Sequence, residues 1–193
     1  KPFSVYGLGV VDYWRCGKCG FVASKTHHDM STPQWESLNG DFHRDNNARE
    51  DNPRNRNQRY FNQALMLHLM VQGKVLPSVD RLDWGSGLGN VSIQCQKCLS
   101  LYLQNYDAYI QPTINSVSSG NLKKRGYALA VSNAVFEHVR DRDTLDEIES
   151  HVSPEGQLAV HTLVRGQIPA DPEWMYLLPV HCAFHTNRSM QML

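Results

Sequence analysis

The chain has 193 residues, with 19 Lys and Arg against 19 Asp and Glu, and a pI near 7.3. These balanced and mixed charges disfavour nucleic acid or an anionic membrane as a partner, because both are bound through a broad basic surface. The length favours one domain with an appendage over two full domains, and no apolar run approaches the ~20 residues of a membrane span. We therefore expect a cytoplasmic protein with a small-molecule partner, and leave the oligomeric state open.

The first distinctive feature is Cys16-Gly-Lys-Cys19, which follows a stretch rich in β-branched and aromatic residues from Val5 to Trp14. Two thiolates at this spacing are typical of one half of a tetrahedral zinc site, which needs two more ligands. The alternative is a tight turn with two free thiols, since the five cysteines of the chain form no regular disulfide pattern. Zinc at Cys16 and Cys19 and a turn without metal both stay open.

A polar segment separates two predicted helices. Ser31 is placed to cap a short helix that we expect to end near Gly40. Residues 41–59 are nearly all Asn, Arg and Asp, which predicts a solvated loop that is either a plain linker or a lid over a ligand. Residues 57–73 then repeat apolar side chains at helical spacing and predict a second helix.

The stretch from Arg81 to Asn90 combines a short apolar run, an acidic residue and three alternating glycines. Glycine allows a tight turn and lets a ligand lie against the main chain, while the following helix offers unpaired N–H groups. The stretch therefore predicts a strand and a cofactor loop, with a glycine-rich turn without ligand as the alternative. Its spacing differs from the G-x-G-x-x-G of dinucleotide-binding proteins, which disfavours a nicotinamide dehydrogenase. The loop residues that we assign to the cofactor are Asp83, Gly85, Ser86, Gly87 and Gly89.

The rest of the chain continues an α/β pattern. We predict a helix over about residues 88–104, with Cys95 and either Cys98 or Leu99 in the core. Strands are predicted over 107–110, 127–131 and 157–163, together with an acidic helix over 143–148 and a turn over 152–156. Ser132 and Asn133 follow the 127–131 strand, at the edge of the sheet where open α/β sheets bind their ligands.

The D-x-G-x-G-x-G pattern from Asp83 to Gly89, together with the later strand that leads to Glu137-His138-Val139, resembles motifs I and IV of the class I methyltransferases that depend on S-adenosylmethionine (SAM). The resemblance implies an α/β fold with a Rossmann-like, doubly wound and mostly parallel sheet, incomplete here at the C-terminal hairpin. It implies a small N-terminal appendage, like the C-x2-C module of several sugar C-methyltransferases and related enzymes. The implied division is an appendage and polar loop over residues 1–54 and a SAM-binding domain over 55–193.

The same resemblance places Gln111 and Asn133 beside the SAM cofactor. Gln111 stands where the family usually carries Asp or Glu to accept hydrogen bonds from the ribose hydroxyls. Residues 112–126 are also too few for the helix, strand and helix that the family generally fits there. These two departures motivate an alternative to the enzyme, namely a catalytically degenerate methyltransferase fold that binds without turnover.

For the enzyme, the resemblance implies methyl transfer from SAM to a small metabolite or a sugar or polysaccharide precursor. A histidine is the natural proton acceptor for such a reaction, and His138 is the first candidate, with His161 or His181 second. Glu137 and His138 also resemble the pair with which some quinone O-methyltransferases hold a divalent metal; alternatively the pair only begins a helix. Near the C-terminal end, four side chains are candidate substrate contacts, with ordinary aromatic packing as the alternative: Trp174, Tyr176, His181 and His185.

Overall fold

The computed structural model describes residues 3–49 and 53–193. Its strands are β1 (Tyr13–Arg15), β2 (Val22–Ser24), β3 (Arg81–Trp84), β4 (Gln104–Tyr106), β5 (Tyr127–Asn133), β6 (Val152–His161), β7 (Val164–Arg165) and β8 (Ala183–Thr186). Its α-helices are α1 (Lys25–His28), α2 (Thr32–Arg49), α3 (Pro53–Gln72), α4 (Asn90–Leu99), α5 (Arg142–His151) and α6 (Asn187–Met190). Short 3-10 turns lie at Ser4–Tyr6, Ser119–Asn121 and Phe136–His138.

The described residues divide into two compact units. The parallel-sheet unit comprises residues 53–133 and 145–161. The mixed-sheet unit comprises residues 3–49, 134–144 and 162–193. The predicted domain boundary between residues 54 and 55 stays a prediction.

The parallel-sheet unit is an α/β structure with four parallel strands in the order β4-β3-β5-β6. Its core lies between the sheet and two helices, because the apolar faces of α3 and α4 pack together against β5. The central strand β3 pairs on both sides, with Asp83 opposite Asn105 of β4 and Val131 of β5. The predicted strand before the glycine loop, the helix ending near Gly73 and the strand from Tyr127 are therefore confirmed.

The second strand of this sheet was predicted at the wrong residues. It runs over Gln104–Tyr106, whereas residues 107–110 form an exposed turn. In that turn Asp107 Oδ1 accepts from the backbone N–H groups of Tyr109 (2.9 Å) and Ile110 (3.0 Å). An aspartate that binds the backbone two or three residues ahead favours a turn over a strand. The strand itself is hard to recognise in the sequence because it buries the polar Asn105.

The helix after the glycine loop is also shorter than predicted. It ends at Leu99, because Ser100 adopts a left-handed conformation (φ 52°) and its N–H bonds back to the Cys95 carbonyl. Cys95 is fully buried and Leu99 packs against the same core, as predicted. Cys98 is exposed, so its predicted core role is wrong.

The predicted solvated loop over residues 41–59 is largely helical. The helix α2 continues to Arg49 and α3 begins at Pro53, while residues 50–52 lie outside the described part of the chain. A surface helix needs apolar residues on one face only, and α2 buries Trp35 and Leu38 there. A helix with so few apolar residues is therefore easily taken for a loop; the interpretation as a lid stays a prediction.

The α5 helix confirms the predicted acidic helix, whereas the predicted turn over 152–156 belongs to strand β6. The pairing of β6 with β5 is interrupted there, since Tyr127 lies opposite Val152 and Leu129 opposite Gln157. The extra residues bulge out of the ladder, which explains why their Pro and Gly resemble a turn.

The mixed-sheet unit joins both ends of the described chain in one sheet, with strand order β1-β2-β8-β7. β1 and β2 form an antiparallel hairpin, and β8 pairs antiparallel to β2 and parallel to β7. Its core has two clusters, one that includes Trp174 and Phe184 and one that includes Trp35 and Val180.

No helix in residues 3–49 or 53–193 combines the length and the apolar character that a membrane span needs.

Candidate functional sites

The first candidate site is the glycine loop of the parallel-sheet unit, between β3 and α4. All three of its glycines adopt the left-handed region, with φ 71° at Gly85, 55° at Gly87 and 79° at Gly89. Side chains with a Cβ rarely adopt this conformation, so the loop needs glycine at these positions. The backbone N–H groups of Gly85 and Ser86 both donate to the Tyr106 carbonyl (2.8 and 3.1 Å), which holds the loop against the end of β4.

Two of these glycines differ in what surrounds them. A Cβ added at Gly89 would meet Asn105 Nδ2 at 3.2 Å and Ile114 Cγ2 at 3.3 Å, so Gly89 allows close packing. A Cβ added at Gly87 would meet no atom within 4 Å. The α-carbon of Gly87 therefore faces open space, so a ligand can approach the main chain there.

Asp107 shapes the loop at Gly87, and the sequence prediction missed it. Its Oδ2 accepts from the Gly87 N–H at 2.8 Å, directly after the end of β4. The predicted residue Gln111 lies farther along, is exposed, and its Nε2 donates to Ser116 Oγ at 2.6 Å. Asp107 is recognisable in the sequence as an acidic residue that follows the second parallel strand. It was overlooked because that strand was predicted at residues 107–110, which include it.

Asp83, unlike the exposed Gln111, is buried, with 1% of its surface accessible. Burial raises the pKa of its carboxyl to about 7, and repulsion by Asp107 raises it further, while the Asn133 side chain acts in the opposite direction. A carboxyl with this pKa changes its charge near neutral pH. It can therefore respond to a positively charged ligand.

Several buried polar atoms at this edge of the sheet have no hydrogen-bond partner. Buried polar atoms in folded proteins are nearly always paired, so a group of unpaired ones marks a place for a ligand or for water. The strands β3 and β5 are neighbours, and their carboxyl ends carry most of these atoms. Within the described residues they are Ser86 Oγ, Asn105 Oδ1 and Ser132 Oγ, together with Asp83 Oδ1 and Asn133 Nδ2 of two side chains that interact with each other.

The second candidate site lies in the mixed-sheet unit, where Glu137, His138 and His181 come together. One ligand atom from each of the three side chains lies within 4.8 Å of the others. Glu137 and His138 belong to the short turn Phe136–His138, and His181 precedes β8. The Cys182 N–H donates to the Glu137 carbonyl at 2.8 Å and holds the two segments side by side. The sequence prediction named all three residues but did not bring them together.

Both carboxylate oxygens of Glu137 accept hydrogen bonds from hydroxyl groups. Tyr176 donates its hydroxyl to Oε1 at 2.7 Å, and Thr162 donates its hydroxyl to Oε2 at 2.8 Å. The Glu137 side chain is buried, with 3% exposure. Tyr176, a predicted substrate contact, is thus a partner of Glu137. Burial, followed by the nearby Glu137 carboxylate, raises the pKa of Tyr176, so the hydroxyl stays a proton donor.

Both histidines of this cluster have a lowered pKa. Burial is the main cause at His138, where the neighbouring His181 and His43 add to it and the Val180 carbonyl opposes it. Burial also lowers the pKa of His181, against the opposing effect of Glu137. Both rings are therefore neutral near pH 7, and each keeps one nitrogen lone pair available.

The remaining predicted residues occupy separate places. Cys16 and Cys19 lie in the turn between β1 and β2, and the backbone N–H groups of Cys19 and Lys18 lower the pKa of Cys16. Within the described residues they belong to no group of three or more metal-ligating side chains. His161 is exposed at the end of β6, and His185 is buried with its Nε2 3.4 Å from the Phe136 carbonyl.

Trp174 lines a cavity of about 670 Å³ in the mixed-sheet unit. The cavity walls are largely apolar and aromatic, and include Tyr13, Ile168 and Phe184. The Trp174 ring packs 5.2 Å from the Phe184 ring, centroid to centroid. Aromatic packing therefore explains the position of Trp174.

Comparisons of the chain with protein-family models, with curated proteins and with solved structures gave no match.

Proposed function

We propose that this chain is a SAM-dependent methyltransferase of the class I type, in which the glycine loop binds the cofactor. The acceptor would be a small metabolite or a sugar or polysaccharide precursor. The observation that carries the proposal is the group of unpaired buried polar atoms beside the open backbone of Gly87. A ligand with hydroxyl, amino and carboxylate groups, such as SAM, would satisfy these atoms.

The sheet order supports a ligand at this place. From β3 the chain adds β4 on one side and β5 on the other, so the strand order reverses at β3. In open α/β sheets the crevice at such a reversal, outside the carboxyl ends of the strands, is the usual binding site. The four parallel strands are compatible with the Rossmann-like, doubly wound fold that the proposal requires.

Asp107 supports the cofactor proposal, because it supplies the acidic residue that is missing when Gln111 is assigned to the ribose-binding position. The family position for a ribose-binding carboxylate is the end of the second strand, and that position holds Asp107 rather than Gln111. The segment that follows is short: a single parallel bridge pairs Asn105 with Ser116 at the outer edge of β4. This bridge takes the place of the additional strand that the family usually has there.

Methyl transfer from a sulfonium is an in-line displacement, in which the acceptor atom bonds the methyl carbon as the carbon–sulfur bond breaks. The protein has to align the two reactants and exclude water. In this proposal His138 would be the group that accepts the proton of the methyl acceptor, and Glu137 and His138 would be the residues that hold a divalent cation, which would lower the pKa of the acceptor. Zinc at Cys16 and Cys19 remains a separate proposal.

Calorimetric titration with SAM and with S-adenosylhomocysteine tests the cofactor site. We expect micromolar affinity, and a loss of at least about tenfold in Gly87→Val, because the new side chain covers the open backbone. The matched control is Gly7→Val, since Gly7 has a similar backbone (φ 71°) and open surroundings in the mixed-sheet unit. Failure of the wild-type chain to bind either ligand would contradict the proposal.

The alternative is a methyltransferase fold that binds SAM without turnover. The short segment after β4 favours it, because the described residues 107–126 form turns, including those at 107–110 and Ser119–Asn121, and the bridge at Ser116. A panel of hydroxyl, amine and acidic-carbon acceptors, assayed for S-adenosylhomocysteine release, distinguishes the two. Release that depends on an acceptor supports the enzyme; SAM binding without release on any acceptor supports the binding module.

A further inference from the structure

We propose that Glu137, His138 and His181 form a binding site for one divalent transition-metal ion of the zinc type. The site lies within the mixed-sheet unit, and its existence does not depend on the proposed methyl transfer. Three features support the site: the donor set, the hydrogen bonds that orient it, and a buried nitrogen that has no hydrogen-bond partner.

The donor set consists of two imidazoles and one carboxylate whose ligand atoms lie within 4.8 Å of one another. Imidazole nitrogen suits zinc and its neighbours in the first transition row, whereas magnesium and calcium prefer oxygen ligands alone. Three protein ligands of this kind are typical of zinc sites that keep one position for water or a substrate. The residue types therefore favour zinc and its transition-metal neighbours over magnesium.

Hydrogen bonds around the cluster orient the ligands as they are oriented in metal sites. His181 Nδ1 lies 2.8 Å from the Tyr176 carbonyl, which can only accept, so Nδ1 carries the proton and Nε2 carries the lone pair. Glu137 is fixed by the hydroxyls of Tyr176 and Thr162. Metal-binding histidines usually donate their other N–H to a carbonyl or carboxylate, and ligating carboxylates are themselves hydrogen-bonded.

His138 supplies the independent observation. Its Nδ1 is buried and has no hydrogen-bond partner, and its ring stands at 88° to that of His181, with centroids 5.0 Å apart. A buried nitrogen without a partner is costly unless something binds it. A cation bound by the carboxylate and both rings would satisfy this nitrogen.

The charge of the cluster also favours a cation. Glu137 is buried, and the two side chains that donate to its carboxylate are neutral hydroxyls. A buried carboxylate whose hydrogen-bond donors are neutral is stabilised by a nearby positive charge, which a divalent ion supplies.

The test is metal binding by the whole chain, first stripped with a chelator. We expect one Zn²⁺ or Co²⁺ per chain, measured by elemental analysis after dialysis, and no comparable retention of Mg²⁺. The visible spectrum of the cobalt form should show nitrogen and oxygen ligation without a thiolate-to-cobalt charge-transfer band. No retained zinc or cobalt, or a thiolate band that accounts for all of the bound metal, would overturn the proposal.

Variants locate the ion. His138→Gln and His181→Gln should each weaken zinc affinity by at least about a hundredfold, and Tyr176→Phe by about tenfold, because it loosens the hold on Glu137. The matched control is His185→Gln, another buried histidine of the same unit whose Nδ1 lacks a partner. Cys16→Ser/Cys19→Ser is the second control. Zinc lost in the cysteine variant but kept in both His138→Gln and His181→Gln would place the ion elsewhere.

Titration with SAM in the presence of chelator separates this proposal from the cofactor proposal. Metal-free protein that binds SAM but regains no metal contradicts the metal site alone. Protein that regains metal but binds no SAM contradicts the cofactor site alone.

Discussion

At the scale of single residues, Asp83 gives the glycine loop a charge that depends on pH. Burial, helped by Asp107, raises the pKa of Asp83 from 3.8 to about 7. A sulfonium cation binds more favourably near the ionised carboxylate than near the neutral acid. We therefore expect SAM affinity to be roughly tenfold higher at about pH 8 than at about pH 6, measured by calorimetry.

Asp83→Asn separates this charge effect from the shape of the site. The amide has nearly the same size but does not ionise in this range, so the variant should bind SAM more weakly and lose the pH trend. Asp29→Asn serves as a control, because Asp29 is an exposed carboxylate of the other compact unit. A trend that persists unchanged in Asp83→Asn would assign the titration to another group.

Some of the residues that the sequence singled out have a structural signal of their own. The glycines of the loop are required by their left-handed backbone, and Asp83 stands at a fixed distance before them. Asp107 was missed because its role depends on where β4 ends, which the polar residues of that strand conceal. The grouping of His181 with Glu137 was missed because it is created by tertiary structure, through the hydrogen bond from Cys182 to the Glu137 carbonyl.

At the scale of elements, periodic apolar patterns predicted helices and strands well, and polar composition predicted a loop wrongly. The helices α3 and α5 lie close to their predicted ranges. The error at α2 has a physical origin: its continuation beyond Gly40 is anchored by few apolar side chains, including the partly buried Phe42. Such a segment resembles a solvated loop in composition, although one apolar face is enough for a helix.

Gly40 offers a direct test of the longer α2 helix. It is exposed inside the helix, and an added Cβ would meet no atom within 4 Å. Gly40→Ala should therefore raise the free energy of unfolding by about 1 kcal/mol, since alanine favours a helix interior over glycine by that amount. Urea unfolding followed by circular dichroism measures the change.

The control for this test is Gly166→Ala, at a position that also has open surroundings but follows strand β7. Without a helix to favour alanine, this substitution should change stability by less than about 0.5 kcal/mol. An equal effect of both substitutions would contradict the helical interpretation of residues around Gly40.

At the scale of the whole molecule, the two compact units should respond to acid in opposite directions. In the mixed-sheet unit, burial lowers the pKa of His27 and of His185 below 6.5. Their unfolded forms bind more protons below that pH, so this contribution to stability is present above about pH 6.5 and is lost on acidification. In the parallel-sheet unit, folded Asp83 keeps its proton up to about pH 7. Its contribution is present at low pH and is lost as the pH rises towards 7.

Hydrogen exchange with mass spectrometry can measure the two units separately in one sample. Between about pH 7.5 and about pH 5.5, with chelator present and rates corrected for intrinsic exchange, protection should fall in the mixed-sheet unit and hold or rise in the parallel-sheet unit. His27→Gln should reduce the first change, because His27 is fully buried between Ser24 and the Pro179 carbonyl. Asp83→Asn should remove the gain in protection of the parallel-sheet unit at the lower pH. Each substitution removes a titrating group from one unit only. If the wild-type chain lost protection equally in both units on acidification, these buried groups would not control its acid stability.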